Sequence, residues 1–202
     1  MYISLEANIG VGKSTLLPKL AEIMKMIPVE ENLEKDGDFL KALGEFNEDP
    51  SKAYELQMTI NRYRVGVSDD TRSGSYILER SMLSDIVFAT VMYQMGNMSE
   101  AEFKLFSAIS EGQLAKNAPD VAVYLACDPK VSYERLRSRG REEESNVTLD
   151  YVTQLENAHE TILAELCYKL DIALVRLDYT EFQSPEAVAD ATQRMLNLVH
   201  NI

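Results

Sequence analysis

Several residue types that restrict function are scarce in this chain of 202 residues. It has only two cysteines, Cys127 and Cys167, and these lack the spacing of metal ligands or of a redox pair. We therefore expect buried, reduced thiols in a cytoplasmic protein. It also has only two histidines, His159 and His200, both in helix-like segments, where a core or surface position is far commoner than a metal site.

Long apolar runs and positive charge are also scarce. No run approaches the roughly 18–20 apolar residues that a membrane span needs. Twenty Lys and Arg against 33 Asp and Glu give a net charge of −13. The nucleic-acid backbone repels such a chain, so we expect no nucleic-acid partner. The lack of a long apolar run leads us to expect no membrane partner. The length and the hydrophobic fraction of 46% suit a single domain over residues 1–202.

Short apolar runs alternate along the chain with longer segments in which apolar residues recur at steps of three and four. We predict strands at Tyr2–Ala7, Pro28–Glu30, Tyr76–Glu79, Val121–Ala126 and Ile172–Leu177. We predict helices at Ser14–Met24, Phe39–Phe46, Lys52–Thr71, Ser81–Tyr93, Glu100–Lys116, Lys130–Arg139, Leu149–Lys169 and Pro185–Val199. Alternation of this kind predicts an α/β fold, with a five-stranded parallel sheet between two layers of helices. Ligands of such sheets bind beyond the carboxyl ends of the strands.

A glycine-rich loop follows the first predicted strand and precedes a helix. It consists of Asn8, Ile9, Gly10, Val11, Gly12, Lys13, Ser14 and Thr15. This context is the one in which G-x-x-x-x-G-K-[ST] binds the phosphates of a nucleotide. Its glycines let backbone N–H groups point inward, its lysine reaches the β- and γ-phosphates, and its serine ligates Mg²⁺. The alternative is a glycine-rich turn that only starts a helix.

Ala7 departs from this motif, because it stands where the pattern has its first glycine. The loop donates hydrogen bonds from residues 8–14, so only the backbone conformation at Ala7 is at stake. An alanine is tolerated there if its φ is negative. We therefore expect the loop to hold ATP with Mg²⁺.

An acidic and a basic residue follow one another at the end of the third predicted strand. Glu79 stands where P-loop proteins often place an acidic ligand of Mg²⁺, and Arg80 comes directly after it. An ordinary ion pair at a strand end is the alternative.

Arginines cluster after the fourth predicted strand. They are Arg135, Arg137, Arg139 and Arg141, with Gly140 among them. Arginine is suited to clamping phosphoryl oxygens, and its charge stabilises the transition state of phosphoryl transfer. With the phosphate loop upstream, we predict a lid over about residues 135–147 that closes on the site and excludes water. A solvated helix end with Arg–Glu pairs is the alternative.

These segments together resemble the deoxyribonucleoside kinases, the family of deoxycytidine, deoxyguanosine and deoxyadenosine kinases. The resemblance rests on three motifs: the glycine-rich loop, the segment E-R-S-M-L-S-D-I-V-F-A that begins at Glu79, and a lid of the form R-x-x-x-R-G-R-x-E-E. The resemblance covers about residues 2–180. It implies a P-loop nucleoside-kinase fold, a homodimer, and transfer of a phosphate from ATP with Mg²⁺ to the 5′-hydroxyl of a deoxynucleoside.

The resemblance also implies roles for residues around the metal and the lid. Glu79 would assist the metal and the attacking hydroxyl, Arg80 would contact phosphate and the 5′-oxygen, and Asp85 would help to read the base. The lid motif is matched by Arg135, Arg139, Gly140, Arg141, Glu143 and Glu144. Its last glutamate, Glu144, would bind the 3′-hydroxyl of the sugar.

The acceptor side follows from the same resemblance. Glu31 aligns with the glutamate that acts as general base, and Glu30 is the alternative if the alignment shifts by one residue. Gln57 and Arg64 have the spacing of the residues that face the base and pair with Asp85. A tyrosine of the family that touches the 3′-hydroxyl is missing, since Phe46 and Asn47 stand there; Asn47 is a substitute by its hydrogen-bonding capacity.

We therefore predict a deoxyribonucleoside 5′-kinase that favours purine deoxynucleosides or deoxycytidine over thymidine, since the Arg64–Asp85 pair resembles those members more. One alternative is a nucleoside monophosphate kinase, which needs a cationic site for a second phosphate; Glu30 and Glu31 disfavour it. A P-loop switch or ATPase without an acceptor is another, but the sequence has no D-x-x-G.

Overall fold

The computed structural model describes residues 1–70, 74–141 and 144–200. At its centre, five parallel strands form one sheet in the order β2-β3-β1-β4-β5. The strands are β1 (Tyr2–Glu6), β2 (Ile27–Val29), β3 (Tyr76–Glu79), β4 (Val121–Ala126) and β5 (Ala173–Asp178). The predicted α/β fold with a five-stranded parallel sheet is confirmed, with strand ends within a residue of the predicted ones.

Helices connect the strands at the positions that the periodicity predicts. They are α1 (Lys13–Met24), α2 (Gly37–Glu48), α3 (Ala53–Asp70), α4 (Met82–Gln94), α5 (Glu100–Leu114), α6 (Pro129–Arg139), α7 (Leu149–Ala158), α8 (Ala164–Lys169) and α9 (Pro185–His200). Among the helices so described, none has the length and apolar character needed to cross a bilayer.

The two faces of the sheet are covered by different helices. Along β4, Val121, Val123 and Leu125 face a core that includes residues of α1 and α9. The alternate residues, Ala122 and Tyr124 among them, face a second core with residues of α4, α7 and α8. Successive side chains of a strand point to opposite faces, so the buried alternation along β4 produces the three layers.

One long helix of the prediction, Leu149–Lys169, is interrupted in the structure. Helices α7 and α8 are joined by a π-helical turn at His159–Leu163. There the imidazole of His159 is buried, stacked 5.7 Å from the ring of Tyr124 and edge-on to that of Phe88 at 5.9 Å. Periodicity predicts a helix but not a single wider turn, because one extra residue changes the apolar pattern little.

Candidate active site

The phosphate loop between β1 and α1 requires glycine at two positions. Gly10 and Gly12 have φ angles of +77° and +110°, which disfavour residues with a side chain. A Cβ at Gly10 would lie 2.3 Å from the carbonyl oxygen of Ser132, so helix α6 packs directly on the loop backbone. Ala7 is not among the described residues that have a positive φ. Its buried alanine side chain is therefore compatible with the loop.

Lys13 lies inside the loop and is 5% exposed. Its Nζ donates hydrogen bonds to the carbonyl oxygens of Ala7 at 3.3 Å and Asn8 at 2.8 Å. Burial, with a smaller contribution from Arg80, lowers the pKa of Lys13 from 10.5 to about 7. A bound phosphate would favour the charged lysine, so the loop is arranged to receive an anion.

Ser14 and Glu79 meet at the edge of the loop, where Ser14 Oγ donates to Glu79 Oε1 at 2.7 Å. These oxygens suit Mg²⁺, which takes few protein ligands and completes its shell with water and phosphate oxygens. Among the described residues, no cluster of three His, Cys, Asp or Glu side chains could hold a metal. The pair therefore fits a metal ion shared with a nucleotide better than a closed protein site.

Glu31 lies between two arginines beyond the carboxyl end of β2. Its Oε1 accepts from Arg64 Nη2 at 2.6 Å and its Oε2 from Arg80 Nη1 at 2.5 Å. Burial opposes ionisation, but the guanidiniums of Arg80 and Arg64 outweigh it and lower the pKa of Glu31 to about 2. Glu31 is thus ionised at neutral pH, and each oxygen keeps a lone pair for a further donor. Glu30, by contrast, is exposed.

Arg64 also binds Asp85, to whose Oδ1 its Nε donates at 2.7 Å. Two acceptors beside this pair, Asp85 Oδ2 and Gln57 Oε1, are buried without a partner in the described structure. Since buried acceptors are normally satisfied, this indicates a ligand that donates hydrogen bonds here. Burial raises the pKa of Asp85 to about 6, although Arg64 acts in the opposite direction.

Arg80 is held by an unusual turn after β3. Its φ of +65° lies in the left-handed region, and its guanidinium stacks 5.1 Å from the ring centroid of Phe88. The next residue, Ser81, donates from its backbone N at 3.0 Å and its Oγ at 2.6 Å to the buried Glu6. Sequence reasoning missed Glu6, because its position inside a strand predicts burial and no partner.

Part of the predicted lid lies over the same region. Glu144 is hydrogen-bonded to Arg139 and lies 4.0 Å from Arg141. Its Oε2 is buried and has no partner among the described residues. Glu143 of the lid motif lies outside the described residues.

Arg135, the first lid arginine, lies behind the loop and not in the cavity. It donates to the carbonyl oxygens of Val11, Tyr179 and Thr180 at 3.3, 3.2 and 2.6 Å. Its guanidinium also stacks 3.9 Å from the ring centroid of Phe182, which is 65% exposed. Sequence reasoning missed Phe182, although an aromatic residue just after the last strand could have drawn attention to it.

One cavity of about 950 Å³ joins these groups. The predicted residues that line it are Ile9, Gly10, Gly12, Lys13, Ser14, Thr15, Glu31 and its alternative Glu30, Asn47, Gln57, Arg64, Glu79, Arg80, Asp85, Arg139, Arg141 and Glu144. Asn8, Val11 and Arg135 support the loop from outside the cavity. The lining also includes Phe46 and, from α7, Tyr151, a tyrosine that sequence reasoning missed. A cavity of this volume, lined both by a cationic loop and by unpaired acceptors, can hold two substrates.

Comparisons with known proteins agree with this geometry. Residues 3–200 match the family model described as deoxynucleoside kinase. A probable deoxycytidine kinase of fowlpox virus is 34% identical over 171 residues, which are 81% of this chain and 72% of the relative. A deoxyadenosine kinase of Dictyostelium discoideum is 26% identical over 195 residues, or 93% of this chain and 76% of that one.

Solved structures show the same fold. The structure of deoxyadenosine kinase from M. mycoides with bound dCTP superposes with a TM-score of 0.79, covering 98% of this chain and 100% of that one. The sequence identity is 21%, so this likeness concerns the fold.

Proposed function

Because the chain belongs to the deoxynucleoside kinase family and is thus an ATP-dependent phosphotransferase, we propose that its cavity phosphorylates the 5′-hydroxyl of deoxycytidine or a purine deoxynucleoside. The observation that carries this proposal is the common cavity of Lys13 and Glu31. A phosphate loop and an ionised carboxylate in one cavity can hold a phosphoryl donor and a hydroxyl acceptor together.

The proposed transfer proceeds in one displacement. Glu31 accepts the proton of the 5′-hydroxyl while the oxygen of that hydroxyl bonds to the γ-phosphorus of ATP. The bond between the γ-phosphorus and the bridging oxygen breaks, and this oxygen leaves with ADP. Lys13 and Arg80 neutralise the charge on the transferring group. Ser14 and Glu79 would hold Mg²⁺, which would neutralise the β- and γ-phosphate oxygens.

The charge balance of the acceptor region disfavours a second phosphate. A nucleoside monophosphate kinase needs uncompensated cations to bind the phosphate of its acceptor. Here Arg64 is paired with both Asp85 and Glu31, and Arg80 with Glu31. Arg64 thus already has two anionic partners, and the ionised Glu31 at the proposed 5′-position would repel a phosphate there. Both observations support an uncharged nucleoside as the acceptor.

The unpaired acceptors support a preference among bases. Gln57 Oε1 and Asp85 Oδ2 need hydrogen-bond donors, and the exocyclic amino groups of cytosine and adenine supply them. Thymine has a carbonyl oxygen in place of that amino group, and its ring N3–H is its only donor on this edge. Deoxycytidine and deoxyadenosine are therefore the substrates we favour, and Glu144 and Asn47 would face the sugar.

The homodimer and the cytoplasmic location stay predictions from the sequence. Sedimentation of the purified protein over a range of concentrations would test the dimer. A monomer at all concentrations would contradict it.

One assay tests the proposed function. The protein is incubated with ATP and Mg²⁺ and with each deoxynucleoside or each deoxynucleoside monophosphate, and the products are identified. We expect monophosphates from deoxycytidine or deoxyadenosine. Phosphorylation of monophosphates alone would refute the proposal, and ADP formed without any acceptor would indicate an ATPase.

Gln57→Leu tests recognition of the base. The leucine removes the unpaired Oε1 at nearly constant volume, so kcat/KM for the preferred deoxynucleoside should fall about tenfold. KM for ATP should stay unchanged, because the phosphate loop is untouched. Gln193→Leu, at an exposed position on α9, is the matched control and should change neither constant. Equal effects of the two variants would show that Gln57 does not contact the base.

Asp85 gives nucleoside binding a dependence on pH. Its pKa is raised to about 6 by burial, with Glu31 and Glu6 acting in the same direction and Arg64 against it. As pH falls through 6, Asp85 gains a proton and loses an acceptor for an amino group. KM for deoxycytidine should therefore rise as pH falls from about 7 to 5, by up to about tenfold. Steady-state kinetics at saturating ATP measure this, and an Asp85→Asn variant should lack the step.

A further inference from the structure

Glu156, on α7, is a buried carboxylate that the proposed chemistry does not use. The residue is 6% exposed. Its Oε1 accepts from the hydroxyl of Tyr124 at 2.5 Å and from the backbone N of Cys127 at 3.0 Å. Its Oε2 accepts from Asn8 Nδ2 at 3.0 Å. All three partners are uncharged, so the carboxylate joins the end of β4 and the phosphate loop to α7.

Asn8, on the loop side of this contact, is fully buried. Its Nδ2 donates to the carbonyl oxygen of Val152 at 2.8 Å as well as to Glu156. Both acceptors lie on α7, so they fix which end of the amide faces the helix. The amide oxygen must then face the loop, where it accepts from the backbone N of Ile9 at 2.8 Å.

This arrangement determines which donors of the loop remain for a ligand. The N–H of Ile9 is engaged by Asn8, so the first peptide of the loop is already fixed by protein contacts. The phosphates must be bound by the following N–H groups and by Lys13. The shape of the loop before ATP arrives thus depends on the orientation of the Asn8 amide.

We propose that Glu156 is a positioning residue for ATP, which acts by holding the Asn8 amide and through it the start of the phosphate loop. The inference rests on the proposed function in one respect, namely that the loop binds ATP. Glu156 touches neither substrate in this proposal, and its role is to keep the loop in its binding conformation.

Glu156→Gln tests the proposal with a minimal change. The hydroxyl of Tyr124 and the backbone N–H of Cys127 both donate to Oε1 of Glu156. A backbone N–H can only donate, so the atom opposite Cys127 must remain an acceptor. The glutamine oxygen should therefore take the Oε1 position and place its NH₂ against the NH₂ of Asn8. This loss of one contact should weaken ATP binding on the order of fivefold, since a net hydrogen bond contributes about 1 kcal/mol.

Calorimetric titration with ATP and Mg²⁺, without any acceptor, measures the effect. Tyr124→Phe is the matched control, because it removes a different donor to Glu156 and leaves the contact with Asn8. We expect this control to bind ATP within about twofold of the wild type while its melting temperature falls. KM for the deoxynucleoside should be unchanged in Glu156→Gln.

Two results would overturn the proposal: a folded Glu156→Gln protein that binds ATP like the wild type, or an equal loss in Tyr124→Phe. If Glu156→Gln does not fold, Glu156→Asp carries the test, because its shorter side chain draws the carboxylate away from Asn8. A loss of the same order is expected, and wild-type affinity would contradict the proposal. Adding Glu156→Gln to Asn8→Ala should cause no further loss. A wild type that binds ATP but phosphorylates no deoxynucleoside would refute the proposed function only.

Discussion

Glu31→Gln should lower kcat about 10²–10⁴-fold, the usual contribution of a positioned general base. Glutamine keeps the size of the side chain but cannot take the proton of the 5′-hydroxyl. The pKa of about 2 that Arg80 and Arg64 impose on Glu31 makes it a weak base before substrate binds. The proton should therefore move late, when the oxygen already bonds to phosphorus and has become acidic.

The matched control for this prediction is the neighbouring Glu30→Gln. Glu30 is exposed and was the alternative base from the sequence. We expect its turnover within about twofold of the wild type, and ATP binding by calorimetry unchanged in both variants. Because the single amide oxygen of the introduced glutamine cannot replace both carboxylate oxygens that face Arg64 and Arg80, the melting temperature of Glu31→Gln should fall. Full turnover in Glu31→Gln with a large loss in Glu30→Gln would assign the base to Glu30.

Lys13→Met should lose activity and gain stability. Methionine keeps an apolar side chain of similar length but cannot bind the β- and γ-phosphates, so kcat/KM for ATP should fall about 10²–10³-fold. Burial of the charged Lys13 side chain costs folding free energy, and the lowered pKa of Lys13 reflects this cost. Without that cost the variant should melt at a temperature about 2–4 °C higher for each kcal/mol regained at pH 7.

The pH dependence of stability gives this second prediction a further measurement. The pKa of Lys13 is about 7 in the folded protein and 10.5 ordinarily. Between these values the unfolded chain binds the extra proton, so wild-type stability should rise with pH in that window. Lys13→Met should lack this part of the rise in thermal melts. Lys19→Met, exposed on the same helix, should behave as the wild type. A lower melting temperature for Lys13→Met at pH 7 would contradict the argument.

The sequence predicts those parts of this molecule that local spacing determines. Periodicity is a property of neighbouring residues, and it located the strands, the helices and therefore the edge of the sheet where ligands bind. The loop around Gly10 and Gly12 was predicted for the same reason, since its function depends on consecutive backbone groups. The pairing of Arg64 with Asp85 came from the resemblance to a family, because spacing alone does not bring two distant helices together.

What escaped prediction depends on packing between distant segments. Phe182 reaches the phosphate loop because β4 lies between β1 and β5, so the loops after β1 and β5 end at the same edge of the sheet. Arg135 binds three carbonyl oxygens that come from these two loops. Glu31 was predicted as a base, but its two arginine partners and their effect on its pKa required the folded geometry. The roles assigned to these side chains stay predictions until the variants are measured.

The missing side chain of Gly10 has an entropic consequence. The contact of the loop with the Ser132 carbonyl places α6 directly on the loop, and Arg139 is the last residue of that helix. Because α6 packs on the loop, the backbone of Arg139 already lies close to the phosphate site before any nucleotide binds. Only the torsions of its side chain need to be ordered on association, at a cost of about 0.5–1.5 kcal/mol. Preorganisation of this kind lowers the total free-energy cost of assembling the closed complex.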